Sequence, residues 1–220
     1  MRKDVTSGAG RSARDHETRD RLLKAAERQF AERGFKRVTV RDICRAARAN
    51  VAAVNYHFGG KEGLYREVLG LATEVVRSTT DAGRKAGEGC PPEEKLRRYF
   101  SVFLQKALAP GHENLHHLIQ REIDDPTAAL DRFVEEAVRP RVEYLASIVA
   151  EMTGRDRSDP LVLRCVGSIL PQALVYVRQN AIAERLGFRF RGSHADIEQA
   201  AQHIAAFSAA GVRAIAIGPM

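Results

Sequence analysis

Cysteine is scarce in this 220-residue chain: Cys44, Cys90 and Cys165 are odd in number, widely spaced and without a C-x-x-C pair. That argues against a disulfide framework or a zinc site and fits a reducing cytoplasm. Uninterrupted apolar runs are short, none approaching the ~18 residues that a membrane span needs. The stretch Met1 to Glu17 is polar, basic and Gly/Ser-containing. It has no apolar segment of the kind a signal peptide carries, and residues 1–15 are expected to be a disordered basic tail. Catalytic signatures are missing as well. There is no G-x-S-x-G, no phosphate-cradling glycine loop after a strand, no H-E-x-x-H and no Cys–His motif, so neither catalytic residues nor a cofactor is expected and the chain is not read as an enzyme.

Positive charge is present, and it is unevenly spread. Met1 to Arg66 holds 16 Lys/Arg against 8 Asp/Glu, whereas Glu67 to Met220 holds 19 against 20. The whole excess of the +7 chain therefore lies in its N-terminal third. A solvated basic face is the plain reading of such a segment. Its confinement beside a neutral remainder favours a polyanionic partner, and nucleic acid over a membrane surface, because no long basic amphipathic helix is present.

Strand-like alternation is almost absent, and the apolar spacing predicts an all-α protein of about nine helices. The first is expected from about His16 to Arg33, on the stripe Leu22, Leu23, Ala26, Phe30 and Ala31, with Gly34 ending it and Phe35 folding back. Thr39, with Asp42 three residues on, reads as a capping box for a helix over Val40–Ala47. After a break at Arg48-Ala49, Asn50 caps a short helix to about His57, and Gly59-Gly60 stops it. Lys61 opens a linker helix. Further helices are expected over Pro92–Leu108, Glu113–Ile123, Thr127–Met152 (opened by Pro126 and kinked or divided at Pro140), Pro160–Ala183 and Ala195–Ile217. The expected domains are a reader over 16–62 and a regulatory and dimerisation domain over 63–217.

Two short helices, two or three residues apart and braced by a longer one, have helix-turn-helix spacing. Such a reader needs an apolar inner face on its second helix, which Val54 and Phe58 supply. It also needs a small or hydrogen-bonding outer face, which Val51, Ala52, Ala53, Asn55, Tyr56 and His57 supply. Thr39, Arg41, Arg45, Arg48 and Lys61 flank it as candidate phosphate contacts.

The stretches Val38-Thr39-Val40-Arg41-Asp42-Ile43 and Asn55-Tyr56-His57-Phe58-Gly59-Gly60-Lys61-Glu62-Gly63-Leu64-Tyr65 resemble the DNA-binding domain of the tetracycline-repressor (TetR) family. The resemblance covers about Thr18 to Val68. It implies that Arg41 and Val51 to Ala53 face bases, and that Tyr56, His57 and Lys61 lie at bases or backbone. Thr39, Arg41, Asn50, Val51, Ala52, Ala53, Asn55, Tyr56, His57 and Lys61 are thus the candidate DNA-binding residues. The family usually has Gly-Val where this chain has Arg48-Ala49, and an aromatic where Asn55 stands, which leaves open whether Asn55 or Tyr56 makes the key contact. Farther along, Arg121-Glu122-Ile123-Asp124-Asp125-Pro126, Ser168-Ile169-Leu170-Pro171-Gln172 and Ile204-Ala205-Ala206-Phe207-Ser208 resemble the regulatory domain of a CerR-type subgroup. This implies a homodimer through the last two long helices, double-stranded DNA with a palindromic operator as partner, and a small-molecule effector. Leu161 to Ile182 and Ile197 to Ile217 are apolar on more than one face, which independently asks for a second buried surface.

Phe100, Phe103, His117, Arg121, Gln172 and Tyr176 are the candidate effector-pocket lining, against the plainer reading that such aromatics are core and that Arg121-Glu122 is a structural ion pair. His112, His116 and His117 put two imidazoles on one helix face, yet spacing fixes no third ligand, so no metal site is assigned. Alternatives to a specific regulator are an architectural, nucleoid-type DNA-binding protein, or a metal- or redox-responsive regulator.

Overall fold

A computed structural model describes residues 7–177, 185–187 and 190–217. These are all-helical, with no strand among them. The expected end of the fifth regulatory-domain helix, 178–183, and residues 1–6 of the basic tail lie outside the described residues. The chain forms two compact units: Met1–Glu74 with Glu113–Phe133, and Val75–His112 with Val134–Met220.

In the first unit, α1 spans Ser7–Arg37. It starts well before His16, so the latter part of the expected disordered tail is helical. Leu22, Ala26 and Phe30, at four-residue steps, are fully buried. At Gly34 the backbone leaves the helix (φ 77°, ψ 164°), a conformation that glycine adopts without the Cβ penalty. The turn brings the Phe35 ring to 6.1 Å from Phe30 and 4.8 Å from Tyr65. The second and third helices are α2 (Val40–Ala47) and α3 (Val51–Phe58). Ile43 and Val54 seat them on α1 with no exposed surface. The fourth, α4, runs Lys61–Ala86, its first part packing through Leu64, Tyr65 and Val68.

The sixth helix, α6 (Glu113–Asp124), packs on α1, followed by the short α7 (Leu130–Phe133). Arg121 caps the end of α1: its Nε donates to the Ala31 carbonyl at 2.6 Å and its Nη2 to the Glu32 carbonyl at 2.5 Å. These are carbonyls near a helix C-terminus, where a cation is favourable. Tyr65 donates its hydroxyl to the buried Glu122 carboxylate. Lys36 pairs with Asp125 at 2.5 Å. From sequence this stretch is expected in a contiguous regulatory domain starting at residue 63. The structure groups it with the reader, because these side-chain partners lie ~50–90 positions apart and leave no periodic trace. Glu122 also explains why no helix opens at Pro126: its carboxylate accepts from the Thr127 amide and hydroxyl, both at 2.9 Å.

The second unit contains α5 (Pro92–Ala107), α8 (Arg139–Thr153), α9 (Pro160–Val177) and α10 (His194–Ile217). A π-helical turn, Val134–Val138, precedes α8. It divides the long expected helix just ahead of Pro140, whose ring would clash with the carbonyl four residues back in a continuous α-helix. Leu96, Tyr99, Phe100, Leu104, Leu145, Val149, Ile169 and Ile204 make the core. By length and composition α9 could cross a membrane, with mean hydropathy 1.5 over 18 residues. Its apolar run is not continuous, since Arg164, Ser168 and Gln172 interrupt it.

An ionic network ties α5 to α10. Arg97 grips Glu94 through two hydrogen bonds of 2.8 Å and reaches Glu198 at 2.8 Å, while Arg98 adds a 2.6 Å bond to Glu94. The hydrogen bonds from Arg97 and then Arg98 pull the Glu94 pKa from 4.5 down to about 2. The folded carboxylate holds a proton more weakly than the unfolded one. Its contribution is therefore fully present above pH 4.5 and lost as pH falls toward 2. Glu94→Gln should lower the urea midpoint at pH 7 and flatten its fall on acidification; parallel profiles for the two proteins would show that the network is not stabilising.

Candidate DNA-binding site

The reader's geometry follows from its caps. Thr39 is extended (φ −103°, ψ 154°) and its hydroxyl accepts from the Asp42 amide while the Asp42 carboxylate accepts from the Thr39 amide, a reciprocal capping box. The Thr39 hydroxyl also donates to the Asp42 carboxylate at 2.7 Å, and this bond, with the one from the Thr39 amide, holds the Asp42 pKa below the ordinary carboxylate value. The turn after α2 closes on Arg48 in the left-handed region (φ 51°). This is where the family usually has glycine, and here a non-glycine residue takes the strained conformation. Asn50 then caps α3, its side-chain oxygen accepting from the Ala52 amide at 3.0 Å.

With Val54 and Phe58 buried, one face of α3 is turned outward. Val51, Ala52, Asn55 and Tyr56 are all exposed, Tyr56 at 76%. Thr39, Arg41 and Asn50 are exposed beside them, and Ala53 is half-buried. Arg45 and Arg48 extend the cationic flank. Two candidates are placed differently from the rest. His57 turns inward, its side chain 9% exposed and its Nε2 3.4 Å from an Asp15 carboxylate oxygen on α1. Lys61 is half-buried with its ammonium 4.3 Å from the Phe35 ring centroid. Asp15 was missed in the sequence because it falls in the stretch expected to be disordered.

The candidate effector-pocket residues fall in both units. Phe100 and Phe103 are packed in the second unit's core. His117 is exposed on α6, and Arg121 caps α1, both in the first unit. On α9, Gln172 donates to Ser208 at 3.1 Å and Tyr176 lies against Phe190 at 4.8 Å. His112 is held by its Nδ1, 2.8 Å from the Lys106 carbonyl.

A capped helix, a tight turn and a second short helix with an apolar inner face and a small, polar outer one define a helix-turn-helix DNA reader. Comparison with known proteins agrees. Residues 22–68 match the model of bacterial regulatory proteins of the tetR family, and residues 92–212 match that of the C-terminal domain of the HTH-type transcriptional dual regulator CecR. The chain belongs to the TetR family of transcriptional regulators, and its C-terminal subgroup is that of CecR, the CerR-type reading being corrected in name. CecR of Shigella flexneri is 26% identical over 169 residues, covering 73% of this chain and 75% of that protein. The regulator TtgR of Pseudomonas putida is 30% identical over 105 residues, 46% of this chain and 50% of that one. Among solved structures, SCO4454 of Streptomyces coelicolor superposes with a TM-score of 0.63 at 20% identity, over 90% of this chain and 97% of that one. The ketosteroid regulator KstR2 of Mycobacterium tuberculosis gives 0.61 at 22%, over 88% and 93%. At such identities the structures speak for the fold alone.

Close packing at the start of α4 fixes where α3 ends. A Cβ on Gly63 would stand 1.7 Å from the Phe58 carbonyl oxygen. Gly63→Ala should therefore displace α4 from α3, lowering the urea midpoint by the equivalent of ~1–3 kcal/mol, the cost of overpacking. An unchanged midpoint would show that the two helices can separate freely.

Proposed function

We propose that this protein is a sequence-specific transcriptional repressor that binds a palindromic operator as a homodimer in the cytoplasm and leaves it when a small molecule binds. The observation that carries the reading is the outward face of α3. Val51 and Ala52 are small enough to let the backbone approach base edges, and Asn55 and Tyr56 offer hydrogen-bonding groups beside them. Thr39, Arg41, Asn50 and Lys61 supply phosphate contacts, with Ala53 at the rim. His57 acts by bracing α3 against Asp15. The N-terminal concentration of positive charge supports a nucleic-acid partner.

Dimerisation is supported by apolar surface left uncovered on the last two long helices. Leu163 and Val175 on α9 are 47% and 63% exposed, and Phe207 and Ile215 on α10 are 65% and 54%. A second copy covers such faces, and two-fold symmetry then sets two α3 helices about one DNA turn apart, ~34–36 Å. An effector acts only to the extent that it prefers the conformation that does not bind DNA. Chain connections at 74–75, 112–113 and 133–134 join the two units, so the signal has α4 and both ends of the α6–α7 segment as covalent routes. A rearrangement of the linker helix that changes the separation of the two readers is the proposed response.

Fluorescence anisotropy against DNA from upstream of the protein's own gene, with an unrelated duplex as control, tests this reading. Arg41→Ala should weaken binding to both duplexes and lower the salt slope by about one. Tyr56→Ala should weaken the specific duplex selectively, by ~1–3 kcal/mol. Equal, strongly salt-dependent binding of both duplexes by the unaltered protein would favour a sequence-tolerant architectural role.

A further inference from the structure

Among the described residues, three buried side-chain polar atoms have no hydrogen-bond partner: the Tyr99 hydroxyl, the Tyr144 hydroxyl and Arg141 Nε. All three lie in one corner of the second unit, where α5, α8 and the end of α4 meet. The Tyr99 and Tyr144 rings are 5.5 Å apart, and Arg141, one turn before Tyr144 on α8, lies 5.0 Å over the Phe103 ring. Buried polar groups in native proteins are nearly always satisfied, and three orphans in one place point to a missing partner.

No carboxylate among the described residues forms an ion pair with Arg141. Burial raises the Tyr99 pKa, against which nearby Arg141 and Thr80 act, yet neither meets hydrogen-bond geometry with its hydroxyl. A guanidinium flanked by phenol donors and aromatic faces suits a planar carboxylate carrying an apolar body.

Space has been left for these rings. A Cβ on Gly83 would lie 2.5 Å from Tyr99 Cδ2, and one on Gly87 3.0 Å from the Tyr144 hydroxyl. Glycine weakens a helix interior, so a glycine one turn from the end of α4 marks a local constraint. Tyr144 also lines a surface cleft of about 400 Å³ together with Asp81, Arg84, Lys85, Glu88 and Lys95. The Arg84 guanidinium stands 5.6 Å over the Tyr144 ring. The cleft opens beside the corner with Tyr144 at the boundary; of its three cations Lys95 is paired with Glu151 at 2.6 Å, which leaves Arg84 and Lys85 to face an entering anion.

We propose that this corner binds a small aromatic carboxylate, with Arg141 holding the carboxylate, Tyr99 and Tyr144 donating to it, and Phe103 against its apolar part. The proposal rests on the effector reading above and names the chemical class of the effector. Binding forms no covalent bond, and the carboxylate enters already ionised.

Sodium benzoate, with neutral benzamide as control, tests it on the full-length protein by thermal unfolding and titration calorimetry. Benzoate should raise the Tm saturably and benzamide should not. Arg141→Met should weaken benzoate by about tenfold or more while leaving the ligand-free Tm nearly unchanged, since Arg141 is only half-buried and the Met side chain keeps an apolar contact with Phe103. Arg141→Lys and Tyr144→Phe should retain part of the response, and they carry the test if the Met variant does not fold. No saturable benzoate response, an equal response to benzamide, or a benzoate response indifferent to Arg141 would overturn the site, leaving the orphaned atoms to ordered water. Anisotropy of the DNA complex separates the two readings. Release by benzoate supports both, whereas saturable binding without release keeps the carboxylate site and overturns its role as effector site.

Discussion

Helices shorter than ~12–15 residues are marginal in water, and α2 and α3 have eight residues each. Everything the reader presents to solvent therefore depends on what those two helices are packed against. The support is the apolar stripe of α1, closed by three aromatic rings. Phe30 meets Tyr65 edge-on at 5.0 Å, and Phe35, redirected by the turn at Gly34, covers both. Ile43, Val54 and Phe58 dock on this support, and their burial sends Val51, Ala52, Asn55 and Tyr56 outward. Caps at Thr39 and Asn50 set the starting point of each helix, so outward residues keep one register with respect to the core.

The same Tyr65 that closes the aromatic cluster donates to Glu122, and Arg121 beside it caps the end of α1. One dipeptide on α6 thus fastens to both long helices that carry the reader. A Glu only 1% exposed with hydroxyl and amide donors rather than a cation is costly to disturb, because the carboxylate would lose donors in a place that water does not reach. This makes α1, α6 and the first part of α4 a single support for α3.

Much of this was legible in the sequence. The capping box at Thr39, the break at Arg48-Ala49, the Asn50 cap and the Gly59-Gly60 stop are local signals, and the boundaries of α2 and α3 followed from them. The all-helical class followed from periodicity. What stayed hidden depends on distance along the chain. Arg121 read as pocket lining or, with Glu122, as a structural ion pair, because nothing local shows that their partners are Ala31, Glu32 and Tyr65. The polar, Gly/Ser-containing composition of residues 7–15 concealed a helical extension whose Asp15 meets His57. Phe100 and Phe103 were legible as apolar and helical, but spacing alone does not separate a core ring from a pocket wall. The orphaned hydroxyls of Tyr99 and Tyr144 beside Arg141 exist only as a three-dimensional fact.

The central claim is that the exposed face of α3 reads a specific, two-fold symmetric DNA sequence. Selection of bound duplexes from a randomised library, followed by sequencing, tests it with no target assumed in advance. The account predicts enrichment of one inverted repeat whose half-site centres lie about one helical turn apart, ~10 bp, or a multiple of it, and loss of that motif for the Tyr56→Ala protein. Recovery of unenriched sequence, or of a motif indifferent to the residues on α3, would contradict it.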